Sequence, residues 1–266
     1  MSDEFTINLM SNASMNIYPS NTMTYFTTLL AEPINLVGKW QVALTEISFP
    51  SKIWNMPKGG GFHSRMRKQG GGVDVIDYSI APGHYESVEE IFRQMSAFSS
   101  NLTLRPNPGL PFQTFQSVLI KHTGQAYAEF PKDIMFSEST PADILGFERN
   151  KWYVEHSTHV GKFEVDLSRG VHNILLYTDI VEYSYIGDTK APILRIVPLN
   201  ARMRNNALQC INSITTKTFD DKEYKNLIQH DFHSITVHLR DSTGAPIGFS
   251  SVGRVQLTLR FKKVLT

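Results

Sequence analysis

HNILLYTDIVEYSYIGDTKAPILRIVPL, residues His172–Leu199, is the segment around which the chain is organised. It holds two apolar runs, Ile174–Val181 and Ile193–Leu199. Each has the length of a strand, is rich in β-branched and aromatic side chains, and is bounded by turn formers. In the first run both alternating sets are largely apolar: Ile174, Leu176 and Ile180 on one side, Leu175, Tyr177 and Val181 on the other. A strand with one wet face would alternate polar and apolar residues, so this one is expected at the centre of a sheet with both faces covered. The link Glu182–Pro192 carries Gly187-Asp188 and Ala191-Pro192, both loop signals. At roughly eleven residues it exceeds a tight hairpin and is expected to cross one end of a sandwich.

Working outward, the C-terminal part has the cleanest alternation. Ile235, Val237 and Leu239 alternate with Thr236, His238 and Arg240; Val255, Leu257, Leu259 and Phe261 alternate with Arg254, Gln256, Thr258 and Arg260. This predicts an antiparallel pair with one wet face, joined by the turn-rich loop Asp241–Gly248. Ala207–Thr216 reads as a further strand, with Cys210 a small core residue. On the other side, Gly161–Leu167 and Val73–Ile80 read as short strands, and Phe115–Ile120 with Gln125–Phe130 as a hairpin turning at Thr123-Gly124. Thr22–Leu30 is a Thr- and aromatic-rich strand that should end at a Glu32-Pro33 turn. In Gly38–Pro50, Trp40, Val42 and Leu44 point one way and Ala43, Ile47 and Phe49 the other, which predicts a second strand covered on both faces and stopped by Pro50.

Two helices are expected, both before the His172–Leu199 stretch. Ser87 and Glu90 form a capping box ahead of Val88–Phe98, whose Val88, Ile91, Phe92, Met95 and Phe98 make one core-facing stripe. Thr140 caps a shorter helix with Pro141 at its first position and Gly146 as its stop. At least eight strands with Gly/Pro turns then indicate a mainly β chain: a single jelly-roll β-sandwich spanning 21–266, with a helix-containing insertion at about 51–158. Residues 1–20 are polar and Asn/Ser-rich. Two readings stand for them, a frayed terminus or an extended arm whose Phe5, Ile7, Leu9 and Ile17 dock on something else. Lys58–Gly72 (KGGGFHSRMRKQGGG) reads as a mobile basic loop; Arg65, Arg67 and Lys68 could alternatively touch nucleic acid or an acidic surface.

The 41% hydrophobic and 19% charged composition supports a packed core and excludes a disordered chain. A formal net charge of +1 argues against a general polyanion binder. One cysteine permits no intrachain disulfide, and MSDEFTINLM lacks the apolar segment of a signal peptide, so synthesis in a reducing compartment is expected. No apolar run is long enough for a membrane span. The chain has no GxSxG, HExxH or CxxC pattern. His230, His233 and His238 cluster in sequence but are expected to be exposed rather than metal-bound, as are His156 and His159. Asp179, Glu182 and Asp188 could gather round a cation, or serve the turn at Gly187-Asp188. No catalytic, metal or cofactor site is expected, and the chain reads as a structural or binding protein rather than an enzyme.

Tyr18–Ser51 (YPSNTMTYFTTLLAEPINLVGKWQVALTEISFPS) resembles the opening of the minor capsid, or penton, proteins of Polinton/Maverick elements and adintoviruses, in which an arm leads into a strand of the type W-x-V-A-L-x-E-I-x-[FY]-P. Here that strand is Trp40, Val42, Ala43, Leu44, Glu46, Ile47, Phe49 and Pro50. The pattern Y-x-D-I-V-E…G-D-x…P-[IL]-L-R-I-V-P is met by Tyr177, Asp179–Glu182, Gly187, Asp188, Pro192 and Leu194–Pro198. Weaker likenesses lie at Ile144–Phe147 and in the C-terminal strands, while Lys58–Gly72 has no counterpart. The resemblance implies a single jelly roll that forms homopentamers at icosahedral vertices, beside a double-jelly-roll major capsid protein. It further implies location in the virion, synthesis in the host cytoplasm with assembly there or in the nucleus, and at most weak contact with packaged DNA. A receptor- or glycan-binding jelly roll is the alternative.

Overall fold

The structure is a computed structural model that describes residues 3–56, 59–67, 71–100, 119–120, 125–129, 133–137, 139–154, 157–168, 171–199, 214–242, 244–249 and 253–264. Cys210, His156, Lys68, the Thr123-Gly124 turn and most of the strand expected at Ala207–Thr216 lie outside the described residues, as do the side chains of Arg67 and Phe98. In chain order, strands β1 (Glu4–Met10), β2 (Tyr25–Asn35), β3 (Trp40–Pro50), β4 (Gly60–Arg67) and β5 (Val73–Ile80) precede helix α1 (Val88–Ser100). Strands β6 (Leu119–Ile120), β7 (Gln125–Glu129) and β8 (Asp133–Phe136) lead to helix α2 (Ser139–Leu145). Then come β9 (Trp152–Tyr153), β10 (Thr158–Glu164), β11 (Asn173–Thr178), β12 (Ser184–Ile186), β13 (Thr189–Ala191) and β14 (Ile193–Pro198). The order closes with β15 (Ile214–Thr218), β16 (Lys225–Asn226), β17 (Asp231–Arg240) and β18 (Gln256–Lys263). No helix among the described residues is long and apolar enough to cross a membrane.

The chain forms two compact units: Met1–Ile53 with Val171–Thr266, and Trp54–Gly170. In the first unit one sheet runs β1-β18-β3-β15, with β16 also on β3, and the other runs β14-β11-β17-β2. All these pairings are antiparallel. Counting the sandwich strands along the chain, the sheets take them in the orders first–eighth–third–sixth and fifth–fourth–seventh–second. That is the order of a jelly roll, built from two Greek keys. The second unit is inserted between the third and fourth sandwich strands.

Three expectations are corrected by this topology. First, β1 is no free arm: it pairs with β18 from Glu4↔Lys262 to Met10↔Gln256. Leu9 is fully buried, and Phe5 and Ile7 pack on the core. Second, β17 and β18 are not partners but lie in opposite sheets, their apolar sides facing across the core. Third, the link after β11 does not cross the sandwich. It folds into the hairpin β12–β13 around Gly187 (φ 58°), and β11 and β14 are adjacent in one sheet.

β11 is interior to its sheet as expected, but Tyr177 on its outer face is only half-buried, and the large apolar residues of β3 do not divide between two faces. Its register with β18 shifts at Thr45, because Thr258 faces Glu46 and Leu259 faces Leu44. This β-bulge flips the alternation, so Trp40, Val42 and Leu44 before it and Ile47 and Phe49 after it all enter one core. Thr45 Oγ1 donates to the Thr258 carbonyl at 3.0 Å, and the Thr45 carbonyl accepts from the Phe219 amide at 2.9 Å. Likewise β2 runs on through Glu32-Pro33. Its register with β17 shifts between Phe232 and Ser234, and a proline is tolerated at such an irregularity on an edge strand.

The inserted unit holds the sheets β5-β4-β8-β9 and β10-β7-β6 and both helices. Ser87 Oγ accepts from the Glu90 amide at 3.2 Å, so the predicted N-cap forms, while Glu90 Oε2 accepts from the Glu86 amide at 2.9 Å, one residue before the capping box's usual donor. Val88, Ile91, Phe92 and Met95 are buried with Phe62, Ile134, Phe136, Leu145 and Tyr153 in the unit's own core. The buried Asn55 ties the unit's ends together. Its Nδ2 donates to the carbonyls of Tyr85 (2.9 Å) and Leu167 (2.8 Å), and its Oδ1 accepts from the Tyr85 amide (3.0 Å).

Candidate binding and assembly surfaces

The sequence-predicted residues do not come together. Phe5 stacks on Phe261 with centroids 4.7 Å apart and tilts against Trp40 at 5.5 Å. Phe5, Ile7 and Leu9 are thus engaged within the sandwich; of the four arm residues only Ile17, half exposed in the loop after β1, faces solvent. The basic stretch is corrected as well, because it forms β4, an interior strand between β5 and β8. Arg65 donates Nε and Nη2 to Asp133 Oδ2 at 3.1 and 2.7 Å, and its guanidinium lies 4.2 Å from the Trp152 ring centre. Its charge is neutralised locally.

The histidines and acids disperse too. Among the described residues no three His, Cys, Asp or Glu side chains converge on a metal-sized site. His230 and His233 are exposed. His159 meets the Val154 carbonyl at 2.8 Å. Asp179 Oδ1 accepts from the Thr236 amide at 2.9 Å, Glu182 Oε2 from Asn226 Nδ2 at 3.0 Å, and Asp188 Oδ1 from Thr189 Oγ1 at 3.1 Å. These acids serve the loop geometry.

What the fold does assemble is a groove of about 470 Å³ on the outer face of β11 and β17. Cross-strand partners Tyr177 and His238 form its floor, with Thr236 and Arg240 on the same face of β17. Tyr183, Pro192 and Ile228 contribute apolar wall. The Tyr25 ring meets His238 edge-on at 4.2 Å between centroids, and Arg240 Nη1 donates to the Gly244 carbonyl at 2.8 Å. Burial, reinforced by the Arg240 charge and opposed by Asp179, holds the His238 imidazole below its ordinary pKa. Aromatic faces, a hydroxyl, an acid and two basic side chains around one concavity are the chemistry of recognition. The outward set Thr236, His238 and Arg240 was visible in the sequence as the wet face of a strand. Nothing there showed that Tyr177 and Tyr25, distant in the chain, would meet it.

Some aromatic side chains stand out into solvent. Tyr183 and Tyr185 stand 62% and 74% exposed before and on the β12–β13 hairpin. On the opposite sheet, Glu4 accepts from Arg260 Nη2 across the β1–β18 pair. That hydrogen bond holds the Glu4 carboxyl below the usual carboxylate range and raises the Arg260 guanidinium.

No family model matches the sequence, and no curated protein matches it. Among solved structures, the chain is similar to the crystal structure of the mavirus penton protein. The TM-score is 0.52 at 10% identity, and the match covers 99% of this chain and 100% of that one. At that identity the likeness is one of fold: this is a jelly-roll β-sandwich with a penton-like fold.

Proposed function

We propose that the chain is a capsid structural protein of the penton kind, not an enzyme, which forms homopentamers at icosahedral vertices beside a double-jelly-roll major capsid protein. One observation carries the reading: the match to the mavirus penton protein runs end to end through both units, rather than over the sandwich alone. The motifs at Trp40–Pro50 and Tyr177–Pro198, which resemble Polinton and adintovirus pentons, fall on the interior strand β3 of one sheet and, in the other, on the interior strand β11 and the edge strand β14 with the hairpin between them. Five-fold head-to-tail contact closes a ring, with affinity drawn from buried apolar surface less the entropy of association. In this reading Ile17 and its exposed neighbour Met15 contact an adjacent copy, while Arg65, already engaged, is no DNA contact.

Light scattering on the purified chain, with negative-stain images of the same peak, tests this. Five monomer masses and five-fold rings, alone or with the major capsid protein, are expected. A monomer at every concentration that also fails to bind that partner overturns it. The groove beside Tyr177 and His238 favours a second reading, attachment to a receptor or glycan, which a glycan array without hits would remove.

A further inference from the structure

At the edge strand β14 a buried guanidinium is left incompletely paired. Arg195 is 8% exposed, with its guanidinium carbon 4.0 Å from the Phe219 ring centre. Nη1 donates to the Asp221 carbonyl at 2.9 Å, and Nη2 lies 3.4 Å from Glu223 Oε1. Nε has no hydrogen-bond partner among the described residues, and neither has the buried Oγ of Ser184 on β12. Arg195 and Ser184 line the same cavity of about 150 Å³, along with Lys225. Its surroundings include two exposed side chains, Tyr185 at 74% and Ile196 at 46%.

The Nε–Nη2 edge of a guanidinium is a planar fork that matches a carboxylate with two parallel hydrogen bonds. In Arg195 this edge carries one long contact and one open donor. Leaving a charged donor unsatisfied in the interior is costly, so the site is poised for an acceptor. We propose that this cavity binds a carboxylate group. Its two oxygens take Nε and Nη2 of Arg195, the Ser184 hydroxyl donates to one of them, and Lys225 adds positive charge. Glu223, 51% exposed in its side chain, is then a competitor displaced from Nη2 rather than the permanent partner. The space accepts a carboxylate on a short stem, and the negative charge of Glu223 disfavours a dianion such as phosphate. The site stands independently of the capsid reading.

The probe is sodium acetate against sodium chloride at equal ionic strength, read as the unfolding temperature of the full chain. Acetate at about 100 mM should raise it by about 3 °C over chloride. Arg195→Lys, which keeps the charge and removes the fork, should abolish the difference, and Glu223→Gln should enlarge it. A difference retained in Arg195→Lys, or no difference in either the wild type or Glu223→Gln, overturns the proposal. Glu223→Gln alters a half-exposed side chain and keeps the test decisive should Arg195→Lys not fold. Light scattering in the two salts separates the sources. A mass lowered by acetate means that the carboxylate comes from a neighbouring copy, and an unchanged mass means a free ion; both outcomes retain the site.

Discussion

Gly146 follows α2 at φ +74°, and a Cβ there would lie 2.1 Å from the Phe163 carbonyl oxygen. Both the left-handed backbone and the close approach require glycine, so Gly146→Ala should cost about 3 kcal/mol in chemical denaturation. His238 gives a pH signature. Its folded-state pKa lies below the ordinary 6.5, so the unfolded chain binds the proton more readily. Its neutral form therefore supports the fold fully above that value, and stability is lost as the pH falls below it. Unfolding free energy should drop as the pH falls below about 6.5, and His238→Gln should flatten the drop; an unchanged profile would contradict the assignment. The position of Gly146 as a helix stop was legible in the sequence, because its signal is local. The bulge at Thr45 was not. Trp40–Leu44 and Ile47–Phe49 each alternate cleanly, but the one-residue offset between them is set by pairing with β18, more than two hundred residues on.

Among the elements, β1 carries the largest revision. Phe5, Ile7 and Leu9 at every second position are the period of a strand with one apolar face. Their polar, Asn/Ser-rich surroundings masked it, and only the free edge of β18 explains where the strand goes. As the first strand of the jelly roll, β1 seals Leu9 into the core and pairs Glu4 with Arg260. Leu9→Ala should therefore cost ~2–5 kcal/mol. Deleting residues 1–11 should abolish cooperative unfolding rather than leave a folded domain with weakened assembly. An intact transition in the truncated chain, followed by denaturant titration, would restore the arm. The glycine-flanked β4 was misread for the opposite reason. Its composition disfavours a strand, but hydrogen-bonded partners on both sides, with Arg65 clamped between Asp133 and Trp152, override that preference.

At the scale of the whole molecule, the fold class was legible because strand count, turn residues and the position of the helices are all local signals. Sheet membership was not, since a jelly roll sends consecutive strands such as β17 and β18 to opposite sheets. A docking surface is the least legible feature of all, because exposed residues such as Ile17, Tyr183 and Tyr185 carry no pattern that separates a contact from ordinary surface. On the reading proposed above, this jelly roll, with its insertion, occupies a five-fold position in a shell. Co-expression with a double-jelly-roll major capsid protein, followed by cryo-electron microscopy of the resulting particles, tests it most directly. Five copies of the two-unit chain ringed around each vertex is the predicted result; particles whose vertices lack it, with the chain left monomeric in the supernatant, would contradict the account.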